Sequence, residues 1–141
     1  MEKVPGDSVS FTRTYVRCLE EYEGDLLTEI RVGDDVYVEK WCDMDDRFSR
    51  TMAAKSSAAD IEAYLKGELT LYALLTNHSN GVYFLIDGGL AKEWEPDDDW
   101  DDRYVYRAIS IKHEDVPNTY WPDISAKYEP ALAPRFLPSE G

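Results

Sequence analysis

Apolar and charged positions alternate most clearly in the first third of the chain. Leu26-Leu27-Thr28-Glu29-Ile30-Arg31-Val32 sets Leu, Ile and Val against Thr, Glu and Arg. Gly33-Asp34-Asp35 supplies turn chemistry, and Val36-Tyr37-Val38-Glu39-Lys40-Trp41 resumes the alternation, which predicts a hairpin. Phe11 to Leu19 is rich in β-branched and aromatic residues and predicts a strand before it. Asp43-Met44-Asp45-Asp46 predicts a second turn, with Arg47–Ala54 returning as another strand. Such a meander has one face packed on a core.

The period then changes. Ser57 stands three residues before Asp60, in the manner of a capping box, and Ile61, Tyr64 and Leu65 form one apolar helical stripe. Gly67 is the expected left-handed stop. Thr70 caps a second short helix through Leu71, Leu74 and Leu75, which ends at Asn77-His78-Ser79-Asn80-Gly81. The continuous apolar run Val82–Ile86 predicts a strand covered on both faces, and Arg103–Lys112 predicts a further strand. Pro117, Pro122, Pro130, Pro134 and Pro138 exclude a long helix or central strand from the last stretch, while Tyr120, Trp121, Tyr128 and Phe136 suggest that it packs along the domain.

These elements predict one α+β domain. Its antiparallel sheet is expected to have about five or six strands, with two short helices between the third and fourth. Residues 1–10 are expected to be a flexible start, 11–115 the domain, and 116–141 a proline-rich, aromatic C-terminal segment. A length of 141 residues suits a single core.

Charge changes the picture. Twenty-nine Asp and Glu against fifteen Lys and Arg give a net charge of −14. Residues 20–46 carry a net −9 and residues 87–102 a net −7, so the rest of the chain sums to +2. Carboxylates kept only for solubility would be spread more evenly. The charge argues against direct binding to nucleic acid or to an anionic membrane, which would both repel this surface. It favours a basic surface of another protein as partner. The first contact residues expected are Asp97, Asp98, Asp99, Asp101 and Asp102 around Trp100, followed by Asp34, Asp35, Asp43, Asp45 and Asp46. One acidic segment cannot imitate a duplex, while both segments on one face would imitate a single strand or a short stretch of groove, so a nucleic-acid mimic of that kind stays a candidate. Seven net charges over about 50 Å of extended chain give one per ~7.5 Å, against one per ~1.7 Å in duplex DNA.

Other chemistry finds little support. Asp97, Asp99 and Asp101 share the first spacings of a calcium loop, but Asp102 stands where Gly is required and Ala108 where a bidentate Glu is required. Cys18, Cys42, His78 and His113 lack zinc spacing, so no metal and no cofactor is expected. No nucleophile elbow, phosphate-cradling glycine loop or dinucleotide fingerprint is present. An enzyme using Asp87, Glu93 or Glu95 in a carboxylate-lined cleft is the alternative, and a structural domain that docks through its C-terminal segment is a third. No run nears the roughly 18 apolar residues of a membrane helix, and the start lacks a secretory pattern, so a cytoplasmic setting with free thiols is expected. A Cys18–Cys42 disulfide on neighbouring strands stays open.

The stretch from Val36 to Asp87 resembles an uncharacterised family of small bacterial domains. The likeness lies in the tyrosine-containing strand Val36–Trp41, the helix end Tyr64-Leu65-Lys66-Gly67-Glu68, the run Leu69–Leu75 and the strand Val82–Asp87. It implies a shared fold and carries no activity. In size and acidity the chain also resembles phage-encoded inhibitors of bacterial defence nucleases, anti-CRISPR proteins among them, which implies competitive blocking of a basic site.

Overall fold

The computed structural model describes residues 2–21, 25–90 and 104–122. Within them the chain forms β1 (Asp7–Val9), β2 (Thr14–Glu21), β3 (Asp25–Val32), β4 (Asp35–Met44) and β5 (Ser49–Lys55). Helices α1 (Ala58–Leu65) and α2 (Leu71–Thr76) follow, then β6 (Val82–Leu90) and β7 (Tyr104–Lys112), and two 3-10 turns at His113–Asp115 and Asn118–Tyr120. All seven strands join one antiparallel sheet in the order β1-β7-β6-β5-β4-β3-β2. The sheet therefore has seven strands, not five or six. The added strand is β1, inside the expected flexible start, and three residues are too few to display alternation. The helices follow the fifth strand instead of the third, because β2 to β5 already make four strands before them and β1 adds a fifth.

Local chemistry places the helices as expected. The Ser57 hydroxyl accepts from the Asp60 N–H, and the Thr70 hydroxyl accepts from the Ala73 N–H. Gly67 takes φ +77°, where a side chain would be strained, and its N–H returns to the Tyr64 carbonyl to end α1.

Each face of the sheet buries a different set. On one face Leu27, Val38, Met52, Ala54, Tyr83, Leu85 and Ile111 pack with Ile61 and Tyr64 of α1, Leu71, Leu74 and Leu75 of α2, and Val116 and Tyr120. Fully burying each large apolar side chain contributes roughly 1.5–3 kcal/mol, so this helix-covered layer is the main core. The C-terminal segment is part of it as far as Trp121, and residues 123–141 lie outside the described residues. On the other face Ile30, Ala53, Ile86 and Ala108 pack with Val9, Phe11, Val32, Tyr37 and Phe84.

That second core depends on curvature. In a flat seven-stranded sheet, β1 and β2 would stand about 29 Å apart, given ~4.8 Å per strand. Yet only Ser10–Arg13 connects them, and such a link reaches at most about 18 Å. The sheet must curl, and Ser10–Arg13 crosses its concave side as a strap. Phe11 fixes the strap in place, its ring centroid 5.6 Å from Tyr37 and 4.8 Å from Phe84. Phe11–Arg13 is thus strap, not the beginning of a strand.

Cys18 and Cys42 are both free thiols. They lie on β2 and β4 with β3 between, so their Cα atoms are at least about 9.6 Å apart laterally, beyond the ~7 Å limit for a disulfide. Among the described residues no helix is long and apolar enough to cross a membrane.

Candidate ligand cleft and acidic end of the sheet

The meander sorts its connections by end. Successive hairpins turn at opposite ends, so the β2–β3, β4–β5 and β6–β7 connections all leave from one end. Residues 20–25, 43–46 and 91–102, which form or flank these connections, contain fourteen acids and one base, Lys92. The strand ends that these acidic connections join therefore share one end of the sheet. The β3–β4 turn, with Asp34 and Asp35, lies at the opposite end, separated by the ten residues of β4, or about 30 Å. Both are exposed, and Asp35 faces Lys55 Nζ at 3.7 Å.

Asp43, Asp45 and Asp46 share the acidic end but differ in role. Pairing steps from Trp41↔Thr51 to Asp43↔Arg50, so β4 spends two residues against one of β5. This bulge turns Asp43 onto the helix-covered face, where its carboxylate accepts from the Tyr120 hydroxyl at 3.0 Å, the Met44 N–H at 2.8 Å and the Glu2 N–H at 3.2 Å. Burial pushes the Asp43 pKa up, but these donors together hold it below the ordinary carboxylate range. Asp45 Oδ1 accepts from the N–H groups of Phe48 and Arg47, both at 2.8 Å, which lowers its pKa. These two acids build the turn, and Asp46 is exposed. Asp97, Asp98, Asp99, Trp100, Asp101 and Asp102 lie outside the described residues, as do Glu93 and Glu95. The strand residues flanking them, Leu90 and Tyr104, pair at this same end.

Asp87, weighed from sequence as an acid–base group, is fully buried in a salt bridge. Arg50 Nε and Nη2 donate to its two oxygens at 2.7 and 3.0 Å, and Arg107 Nε adds a third contact at 3.0 Å. Arg50 Nη1 also donates to the Glu2 carbonyl at 2.7 Å, tying down the N-terminus. This network holds β5, β6, β7 and the N-terminal residues together and leaves Asp87 no opening to solvent.

A cleft of about 490 Å³ opens on the concave face, lined by Phe11, Thr12 and Arg13 of the strap, Tyr15, Thr28, Ile30, Glu39, Thr51 and Tyr106. At its floor the Glu39 side chain is buried and pairs through Oε2 with Arg13 Nε. The Arg13 guanidinium lies over the Tyr106 ring at 4.9 Å. Burial raises the Glu39 pKa, and the Arg13 charge opposes the rise. Tyr15 and Tyr106 are 58% and 56% exposed at the rim. None of these residues stood out in the sequence. Glu39 occupies what reads as a solvated position of an alternating strand, and only the curl and the strap enclose it.

Tyr83 OH accepts from Ser79 Oγ at 2.8 Å and meets His113 Nδ1 at 3.0 Å, but Tyr83 is buried and Ser79 also bonds the Thr76 carbonyl. Among the described residues no three His, Cys, Asp or Glu side chains come together as a metal site. No family model, curated protein or solved structure matches this chain.

Proposed function

We propose that this chain is a non-enzymatic binding protein that docks the acidic end of its sheet on a basic surface of a partner protein. The observation that supports the reading is that three connections with fourteen acids against one base in their sequence join strand ends on the same side of the sheet. Potential concentrated in this way steers encounter with a cationic surface and makes association fast and salt-sensitive. Surfaces lined by Lys and Arg commonly hold nucleic acid, so occupation by this end blocks them, as an inhibitor or anti-defence protein does. Asp46, Asp97, Asp98, Asp99, Trp100, Asp101 and Asp102 are the contact set, while Asp43 and Asp45 shape the turn that presents Asp46. Asp34 and Asp35, at the far end, do not join this contact.

The test is capture of partners from the native host's lysate at low salt. The wild-type chain is expected to retain a basic protein, and a chain with Asp97, Asp98, Asp99, Asp101 and Asp102 changed to Asn is expected to lose it. Equal retention by both chains would refute the reading. The enzyme alternative has less support. The cleft holds a single carboxylate, Glu39, and among the described residues no second one lines it, so a two-carboxylate mechanism has no geometry there.

A further inference from the structure

The Ser10–Arg13 strap is fastened to the concave face at two points of different chemistry. Phe11 packs its ring against Tyr37 and Phe84, an apolar contact. Arg13 reaches the cleft floor, where its guanidinium pairs with the Glu39 carboxylate. We infer that Arg13 and Glu39 form a pH-sensitive latch, in which protonation of Glu39 releases the Arg13 side chain to solvent while Phe11 keeps the strap in place.

The first support is the way Glu39 holds its charge. Asp43 accepts from the Tyr120 hydroxyl and from the Met44 and Glu2 N–H groups, and such donors favour the ionised form. Glu39 is buried, yet among the described residues its Oε2 has no hydrogen-bond donor. Its ionised form depends on the charge of Arg13. Burial accordingly raises the Glu39 pKa against the pull of that charge.

The second is that nothing else lining the cleft replaces either partner. Besides Arg13 and Glu39, the strap contributes Phe11 and Thr12, β2 Tyr15, β3 Thr28 and Ile30, β5 Thr51 and β7 Tyr106. Tyr37 shares the same face of β4. Of these only the tyrosines titrate, and they stay neutral where a carboxyl gains its proton. Once Glu39 is neutral, Arg13 is therefore a cation with no counter-charge among the residues lining the cleft.

The third is that Arg13 has a way out and Glu39 does not. The Arg13 side chain is 22% exposed and the Glu39 side chain 8%. Apart from Glu39, the guanidinium has the Tyr106 ring beneath it, and water solvates an uncompensated charge better than a ring does. The arginine moves and the acid stays. Above the Glu39 titration the latch is closed, and below it the latch is open.

The experiment follows the full chain by NMR as pH falls from about 8 to about 4. The Glu39 carboxyl carbon is expected to titrate above the ordinary glutamate value of about 4.3. Across the same midpoint the order parameter of the Arg13 Nε–H is expected to drop from about 0.85 to below about 0.6, with the Phe11–Phe84 contact unchanged. Glu39→Gln is expected to leave the Arg13 side chain mobile at every pH. An Arg13 side chain that stays rigid while Glu39 gains its proton, a Glu39 midpoint at or below about 4.3, loss of the Phe11 contact together with Arg13, or a rigid Arg13 in Glu39→Gln would each overturn the inference. The titration of the wild-type chain decides the matter even where the variant fails to fold.

Discussion

Arg50 and Asp87 meet through two parallel hydrogen bonds, 2.7 and 3.0 Å long, between adjacent strands where both side chains are buried. Removing Asp87 leaves Arg50 as a buried charge without its carboxylate, and removing Arg50 leaves buried Asp87 with only the half-exposed Arg107. Arg50→Ala and Asp87→Ala are each expected to cost about 3–5 kcal/mol in chemical denaturation. Arg107 also reaches Asp87, but its side chain is half exposed, so Arg107→Ala is expected to cost far less. Equal losses for Arg50→Ala and Arg107→Ala would contradict this ranking.

Two groups of carboxyls set opposite pH dependences. Burial raises the folded-state pKa of Glu39 and of Glu20, so the folded state holds these protons more tightly than the unfolded chain. Their effect is loss of stability as pH rises from about 4.3 through the folded values. Asp43 and Asp45 are depressed, so their contribution is present above about 3.9 and is lost as pH falls through their folded values. Denaturation across pH is expected to show Glu39→Gln flattening the decline on the rising side and Asp45→Asn flattening the decline on the acid side. The reverse assignment would contradict the burial argument.

The Cys42 thiol, pushed up to about 11 by burial, is expected to resist alkylation. At pH 8 a thiol of that pKa is thiolate in only about one molecule in a thousand. Iodoacetamide labelling of the native chain, read by mass spectrometry, is expected to modify Cys42 only upon unfolding. Rapid native labelling of Cys42 would refute it.

Gly89 on β6 stands where any side chain would collide with backbone. A Cβ built there falls 2.3 Å from the Arg47 carbonyl oxygen. Gly89→Ala is therefore expected to shift the β4–β5 turn or lower the melting temperature by several degrees, roughly 1–3 kcal/mol. An unchanged melting temperature and unchanged amide shifts at Arg47 and Phe48 would contradict this.

Much of the fold could be read from the chain because it rests on local signals. The Leu26–Trp41 hairpin followed from alternation and turn residues, and both helices followed from Ser57, Thr70 and Gly67 at their ends. What escaped depends on contacts remote in sequence. Asp7–Val9 becomes a strand only through Ala108–Ser110 of β7. Phe11–Arg13 has the composition of a strand, yet the closure of the curled sheet makes it a strap. The same curl hides Glu39, since alternation predicts one wet face and here both faces are covered. Asp43 escaped because a bulge reversed its direction. The acidic segments were visible as charge, but that Asp34 and Asp35 stand apart from Asp46 followed only from which hairpins share an end.

The central claim is that one end of the sheet, and not overall acidity, recognises a basic partner. Its most direct test is the affinity for the captured partner at increasing salt, compared among the wild-type chain, the Asn-substituted 97–102 chain and Asp34→Asn/Asp35→Asn. Affinity is expected to fall steeply with salt for the wild type and for the far-end variant, and to be weak with a shallow slope for the 97–102 variant. A salt-independent affinity, or equal losses from both sets of substitutions, would contradict it.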